Sequence, residues 1–192
     1  MWKLKKEADG LKVYLRDAEN SNIKEVRIET TFDASLSSII AVLKDVPAYP
    51  AWIYKCSSAE RLEPGSNTSS LYYCTVDFPW PLSDRDFIAK SKLRQDPGDK
   101  RVYIDVKSAP AHLPEKDGMV RIETLNIYYE FIPLSDNKVQ MNYRLHSDPG
   151  GALPAWLVNM AVDNGPVNTI KGMREMLKKE EYRNAKLAFL KE

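Results

Sequence analysis

The chain has 192 residues, enough to bury roughly 70% of the surface its unfolded form would expose, and reads most simply as one domain over 1–192. Twenty-eight basic against 27 acidic side chains leave a net charge of +1, which gives no support for nucleic-acid binding, where a strongly basic face is usual. Two cysteines and two histidines (Cys56, Cys74, His112, His146), without HExxH spacing, are too few for a disulfide scaffold or a closed zinc site and argue against a metal or other cofactor.

The opening stretch, Met1-Trp2-Lys3-Leu4-Lys5-Lys6, lacks an apolar h-region and does not read as a signal peptide. A leader already removed would leave the same start, so a cytoplasmic and a periplasmic location both stay open for a soluble protein. No run of about 18 apolar residues exists to span a membrane. Strand-like segments 2–6 and 11–16 flank Asp9-Gly10, a hairpin turn signal. Val26, Ile28, Thr30 and Phe32 alternate with charged residues, giving a strand with one buried face. Asp33 or Ser35 caps a helix over 36–44, and Pro47 and Pro50 end it.

Six strands follow, at 53–62, 70–78, 86–95, 100–107, 119–132 and 138–147. Turn chemistry separates them: Pro64 to Asn67, Pro79 to Ser83, Asp96 to Asp99, and Ser135-Asp136-Asn137. Most of these gaps are short, which predicts an antiparallel meander. Inward sets by alternation are Tyr54, Cys56, Ser58 and Leu62; Tyr72, Cys74, Val76 and Phe78; Phe87, Ala89, Ser91 and Leu93; and Val139, Met141, Tyr143 and Leu145. Cys56 and Cys74 lie nine residues either side of Gly65, nearly opposite each other on the inward face, as two buried thiols in a reducing compartment or, with some adjustment, as a disulfide. Such a mixture suits an ordinary core or a pocket wall equally.

A helical pattern occupies roughly 153–190. Unbroken, it would run about 57 Å, past the ~40 Å diameter of a compact chain this size. A bend is therefore expected at Gly165-Pro166, with Ile170, Met173 and Leu177 packing beyond it. Lys171, Arg174, Lys178, Lys179, Arg183 and Lys186 form a basic face on this helix, either solvated or docked to anionic lipid. The architecture is α+β: a long, curved antiparallel sheet of about nine strands, one short helix and one long C-terminal helix.

YPAWIYKCSSAERLE (49–63), VDFPWPLSDRDFIAKSKL (76–93) and RLHSDPGGALPAWLVNMAVDNGP (144–166) resemble the START domain family of the Bet v 1-like helix-grip superfamily, as does WKLKKEADGLKVYLR (2–16). The resemblance covers essentially the whole chain and lies closer to bacterial START proteins than to the steroid-carrying animal branch. It implies an apolar tunnel between sheet and C-terminal helix, holding one lipid or lipid-like molecule, with the helix as lid. Gly150-Gly151 would let the lid pivot and Trp156 would roof the cavity. Alternation and resemblance together assign ligand contact to Tyr54, Cys56, Tyr72, Cys74, Val76, Phe87, Ser91, Tyr143, Trp156 and Met160. Arg85-Asp86 reads as an ion pair tying the 78–86 loop, or as Arg85 contacting a phosphate.

The expected function is non-enzymatic binding, and transfer, of an apolar small molecule by a monomer that touches membranes transiently. The alternative is a cyclase or hydrolase on the same fold. That would need a paired acid and base inside the cavity, for which Glu123 and Arg121 are the candidates if the odd positions of strand 119–132 face inward.

Overall fold

The computed structural model describes residues 1–135 and 137–192. The expected turn at Ser135-Asp136-Asn137 includes Asp136, which lies outside the described residues. Its strands are β1 (Lys3–Ala8), β2 (Leu11–Arg16), β3 (Glu25–Phe32), β4 (Cys56–Arg61), β5 (Ser69–Val76), β6 (Asp84–Gln95), β7 (Val102–Ser108), β8 (Met119–Arg121), β9 (Thr124–Ser135) and β10 (Lys138–Asp148). They form one sheet in the order β1-β2-β3-β10-β9-β7-β6-β5-β4, with every neighbour on that path antiparallel. The helices are α1 (Leu36–Lys44), α2 (Ala155–Ala161), α3 (Asn164–Met176) and α4 (Glu180–Arg183).

Alternation explains the long pairings. Val139, Met141 and Tyr143 of β10 lie opposite Phe32, Thr30 and Ile28 of β3, all six on the buried face. Ser35 caps α1, its hydroxyl accepting from Ser38 N at 3.1 Å. Leu36, Ile39 and Ile40 press that helix into the core.

Three expectations change. The strand at 119–132 breaks after Arg121, because its first part pairs in parallel with β6 while the rest joins β7 and β10. In β4 the register slips between Cys56 and Ser58, a β-bulge that reverses the faces of everything after it. Ala59 and Arg61 therefore turn inward, whereas Leu62 packs outside with Leu71, Tyr73 and Ile88. The C-terminal segment is three helices rather than one bent one.

The first break falls at Val162-Asp163, ahead of Gly165-Pro166. Asp163, 1% exposed, is held by the ammonium groups of Lys5 at 2.6 Å and Lys6 at 2.9 Å. Pro166 stands third in α3, in the first turn, where its missing N–H removes no helical bond. The expected basic face is divided as well. Lys171 pairs with Asp9 at 2.7 Å, Arg174 donates to Asp9 O and Thr30 Oγ1, and α4 starts on a new axis after Lys179. No helix among the described residues is long and apolar enough to cross a membrane.

Candidate functional site

A cavity of about 270 Å³ lies between the concave face of the sheet and α3. Tyr72 and Val76 of β5, Phe87, Ser91 and Leu93 of β6, Ile104 and Val106 of β7, Tyr129 of β9 and Tyr143 of β10 form its wall. Gly165, Pro166 and Thr169 of α3 close it, with Tyr49, Trp52 and Ile53 from the turn after α1. Aromatic edges knit this lining together. Tyr49 stands edge-on to both Trp52 and Tyr72 at 5.5 Å, and Tyr129 meets Tyr143 at 5.1 Å.

Among the described residues the wall carries no histidine and no carboxylate; its titratable groups are tyrosines together with Lys44 and Arg61 at one end. Burial pushes the phenols of Tyr49, Tyr72, Tyr129 and Tyr143 up, so they are neutral at physiological pH. Among the described residues no cluster of three His, Cys, Asp or Glu could hold a metal. Glu123 is exposed and Arg121 faces the opposite side of the sheet, so neither lines the cavity.

Of the residues assigned ligand contact from sequence, Tyr72, Val76, Phe87, Ser91 and Tyr143 stand along the cavity wall. Cys56 and Cys74 are buried in the core behind it. They are not paired as expected: Cys56 faces Val76, two residues past Cys74, and across the bulge Cys74 faces Ala59, three residues past Cys56. The thiols remain neighbours: interaction with Cys74 lowers the Cys56 pKa, the same interaction and burial push Cys74 up, and Cys56 Sγ donates to Ser58 O at 3.3 Å. Both are free. Tyr54, Trp156 and Met160 were expected to face the ligand and instead face solvent, at 43%, 65% and 68% exposure. α2 has no buried residue; Asn159 ties it to the β2–β3 loop through Lys24 N and Asn22 O.

Arg85 and Asp86 do not pair, because adjacent strand residues point to opposite faces. Asp86 binds Arg121 through both oxygens at 2.7 and 3.0 Å and accepts from Tyr73 Oη at 3.0 Å. Burial works against its ionised form, but these bonds outweigh it and hold the carboxyl below the usual range. Arg121 also donates to the carbonyls of Pro110, Leu113 and Pro114, fixing the loop that covers the outer apolar cluster. Arg85, 3% exposed, lies over the Phe78 ring and donates to Ser83 O, Pro149 O and Gly150 O. It thereby joins the β5–β6 loop to the lead-in of α2. Gly150 and Gly151 there have φ of +65° and +71°, the left-handed region that favours glycine.

Alternation misses Tyr49 and Trp52 because a 3₁₀ turn has no strand period, and it misses Arg61 because the bulge reverses its face. A START domain family model matches residues 1–183. An uncharacterised protein of Pseudomonas aeruginosa is 32% identical over 178 residues, covering 93% of this chain and 87% of that one. Mouse phosphatidylcholine transfer protein is 28% identical over 179 residues, covering 90% and 81%. The crystal structure of a STAR-related lipid transfer protein fragment from Xanthomonas axonopodis superposes with a TM-score of 0.86 at 32% identity, covering 93% of this chain and 99% of that one. Sheet, cavity and matches agree, and the chain belongs to the START domain family.

Proposed function

We propose that this protein binds one lipid or lipid-like molecule in the cavity under α3 and carries it between membranes as a single-domain monomer, without catalysing a reaction on it. The observation that carries this reading is the wall itself, largely apolar and, among the described residues, without histidine or carboxylate. A catalytic role would need an acid and a base within reach of a substrate, and the buried tyrosines, raised and neutral, suit packing against a chain. The relatives named for lipid transfer support the same reading. Tyr72, Val76, Phe87, Ser91 and Tyr143 are then the ligand contacts, joined by Tyr49, Trp52 and Pro166.

Each methylene withdrawn from water contributes roughly 0.8 kcal/mol, so a chain of about 14 carbons carries on the order of 11 kcal/mol. That is why such a molecule needs a closed carrier. The cavity, about 270 Å³, sits just under the roughly 300–1,000 Å³ usual for small-molecule sites. It suits one acyl chain or a compact ring system. Trp80 at 92% exposure on the β5–β6 loop, with Trp156, Leu157 and Met160 on α2, gives this end an apolar surface suited to a bilayer interface. The test is extraction of a fluorescent fatty-acyl probe from phosphatidylcholine vesicles. Saturable uptake of one probe per chain is expected, and no uptake above a protein without a cavity would refute the reading.

A further inference from the structure

The cavity has two ends of different chemistry. Near α2 and the β5–β6 loop its wall is apolar. The other end is set by the β4–β5 hairpin, where Arg61 and Ser69 stand a strand's length from Cys56 and Val76. There it is lined by Lys44, Arg61, Ser66, Thr68, Ser69 and Ser70. Arg61, Ser66 and Thr68 are exposed, so this end reaches solvent.

Two cations share this opening without a counter-charge. Among the described residues neither Lys44 nor Arg61 forms an ion pair. Asp45, next in the chain, is turned to Tyr182 Oη at 2.6 Å. Lys44 Nζ donates to the carbonyls of Ser66 and Asn67 at 2.8 and 2.9 Å, which uses two of its three N–H groups. Arg61 donates Nη2 to Lys44 O at 2.6 Å; its Nε and Nη1 make no hydrogen bond among the described residues. Partial burial and the Arg61 charge lower the Lys44 pKa, the mark of a cation held beside another cation. Ser70 Oγ, at the same end, is buried without a hydrogen-bond partner. Uncommitted donors and two positive charges face the mouth of an apolar chamber.

We propose that Lys44 and Arg61 form an anion-selective portal that receives the carboxylate or phosphate head of a single-chain lipid while its tail lies in the cavity. This rests on the cavity reading and names the ligand class within it. The head stays at the wet rim, where the guanidinium can bind two oxygens at once and the ammonium adds a third donor. The tail runs inward past Tyr72 and Phe87. Docked this way the ligand removes the repulsion between the two cations, and a neutral head leaves it in place.

The test compares dodecanoate, dodecyl phosphate and dodecanol, three probes with one tail, by displacement of a fluorescent reporter from the full chain. Both anions are expected to bind about tenfold or more tighter than the alcohol, with an advantage that shrinks as salt rises. In Lys44→Gln/Arg61→Gln the advantage should disappear while dodecanol affinity is unchanged; both side chains lie at the rim, and a melting curve checks that the variant folds. Inorganic phosphate, lacking a tail, should not displace the reporter at concentrations where dodecyl phosphate does. Equal binding of anions and alcohol by the natural chain overturns the portal and leaves the cavity standing, as does an anion advantage that survives in the variant. Displacement by inorganic phosphate as effective as by dodecyl phosphate overturns the coupling of head to tail. Failure of all three tailed probes overturns the cavity reading itself, and the portal with it.

Discussion

Ser91 stands midway along β6 with its side chain on the cavity wall, between Phe87 and Leu93 on the same face. Ser91→Trp places an indole in the space a ligand needs, so uptake of a fluorescent acyl probe should fall at least about tenfold while unfolding stays cooperative. Unchanged uptake would place the ligand elsewhere. Asp86 governs stability. Removing its charge leaves Arg121 buried and uncompensated, and Asp86→Asn should cost about 3–5 kcal/mol, read from denaturant midpoints. Because the folded carboxyl is held below its ordinary value, its contribution is complete above the usual carboxylate range and fades as pH falls through the lowered pKa. The natural chain should therefore lose more stability on acidification than the variant does; parallel pH profiles would contradict this. Strict alternation marks Tyr72, Ser91 and Tyr143 in sequence. The partner of Asp86 is not legible there, because β8 reaches it by a parallel pairing 35 residues away that no local pattern encodes.

The helical elements show where local signals stop short. Gly165-Pro166 announces an interruption, and one exists, but Asp163 positions it by drawing the chain onto Lys5 and Lys6. A proline in a first turn is tolerated, so it does not compete for the break. Asp163→Asn should loosen the α2–α3 junction and speed exchange of a bound fluorescent lipid at a stability cost of about 1–2 kcal/mol, whereas Pro166→Ala should leave the bend in place. Stopped-flow exchange distinguishes them, and an unaltered rate in Asp163→Asn would remove this junction from the gate. Gly172 gives a sharper test. A Cβ there would overlap the Trp52 backbone, although alanine is the better helix former by about 1 kcal/mol. Contact should outweigh propensity: Gly172→Ala is expected to lower the melting temperature by roughly 6–12 °C, about 3 kcal/mol. A rise would show that α3 has room to move off Trp52.

As a whole, the molecule is a curved sheet closed by α3, with a weakly held α2 beside an exposed aromatic loop. Much of that plan is legible in the sequence. The hairpin at Asp9-Gly10, α1 between Ser35 and Lys44, and the strands β4 to β7 and β10 follow from turn residues and period-two alternation. The resemblance of the 76–93 and 144–166 segments supplies the helix-grip closure that periodicity alone leaves undecided. What escapes is set by tertiary contact: the bulge that turns Arg61 inward, the split between β8 and β9, and the outward stance of Trp156 and Met160 on a helix with no buried face. The central claim is that the chamber holds one lipid per chain. Native mass spectrometry of the natural chain and Ser91→Trp, each exposed to mixed lipid vesicles and repurified, tests it most directly. A single adduct of lipid mass is expected on the natural chain, strongly reduced in the variant. A natural chain that carries no adduct, or a variant that carries as much, would contradict it.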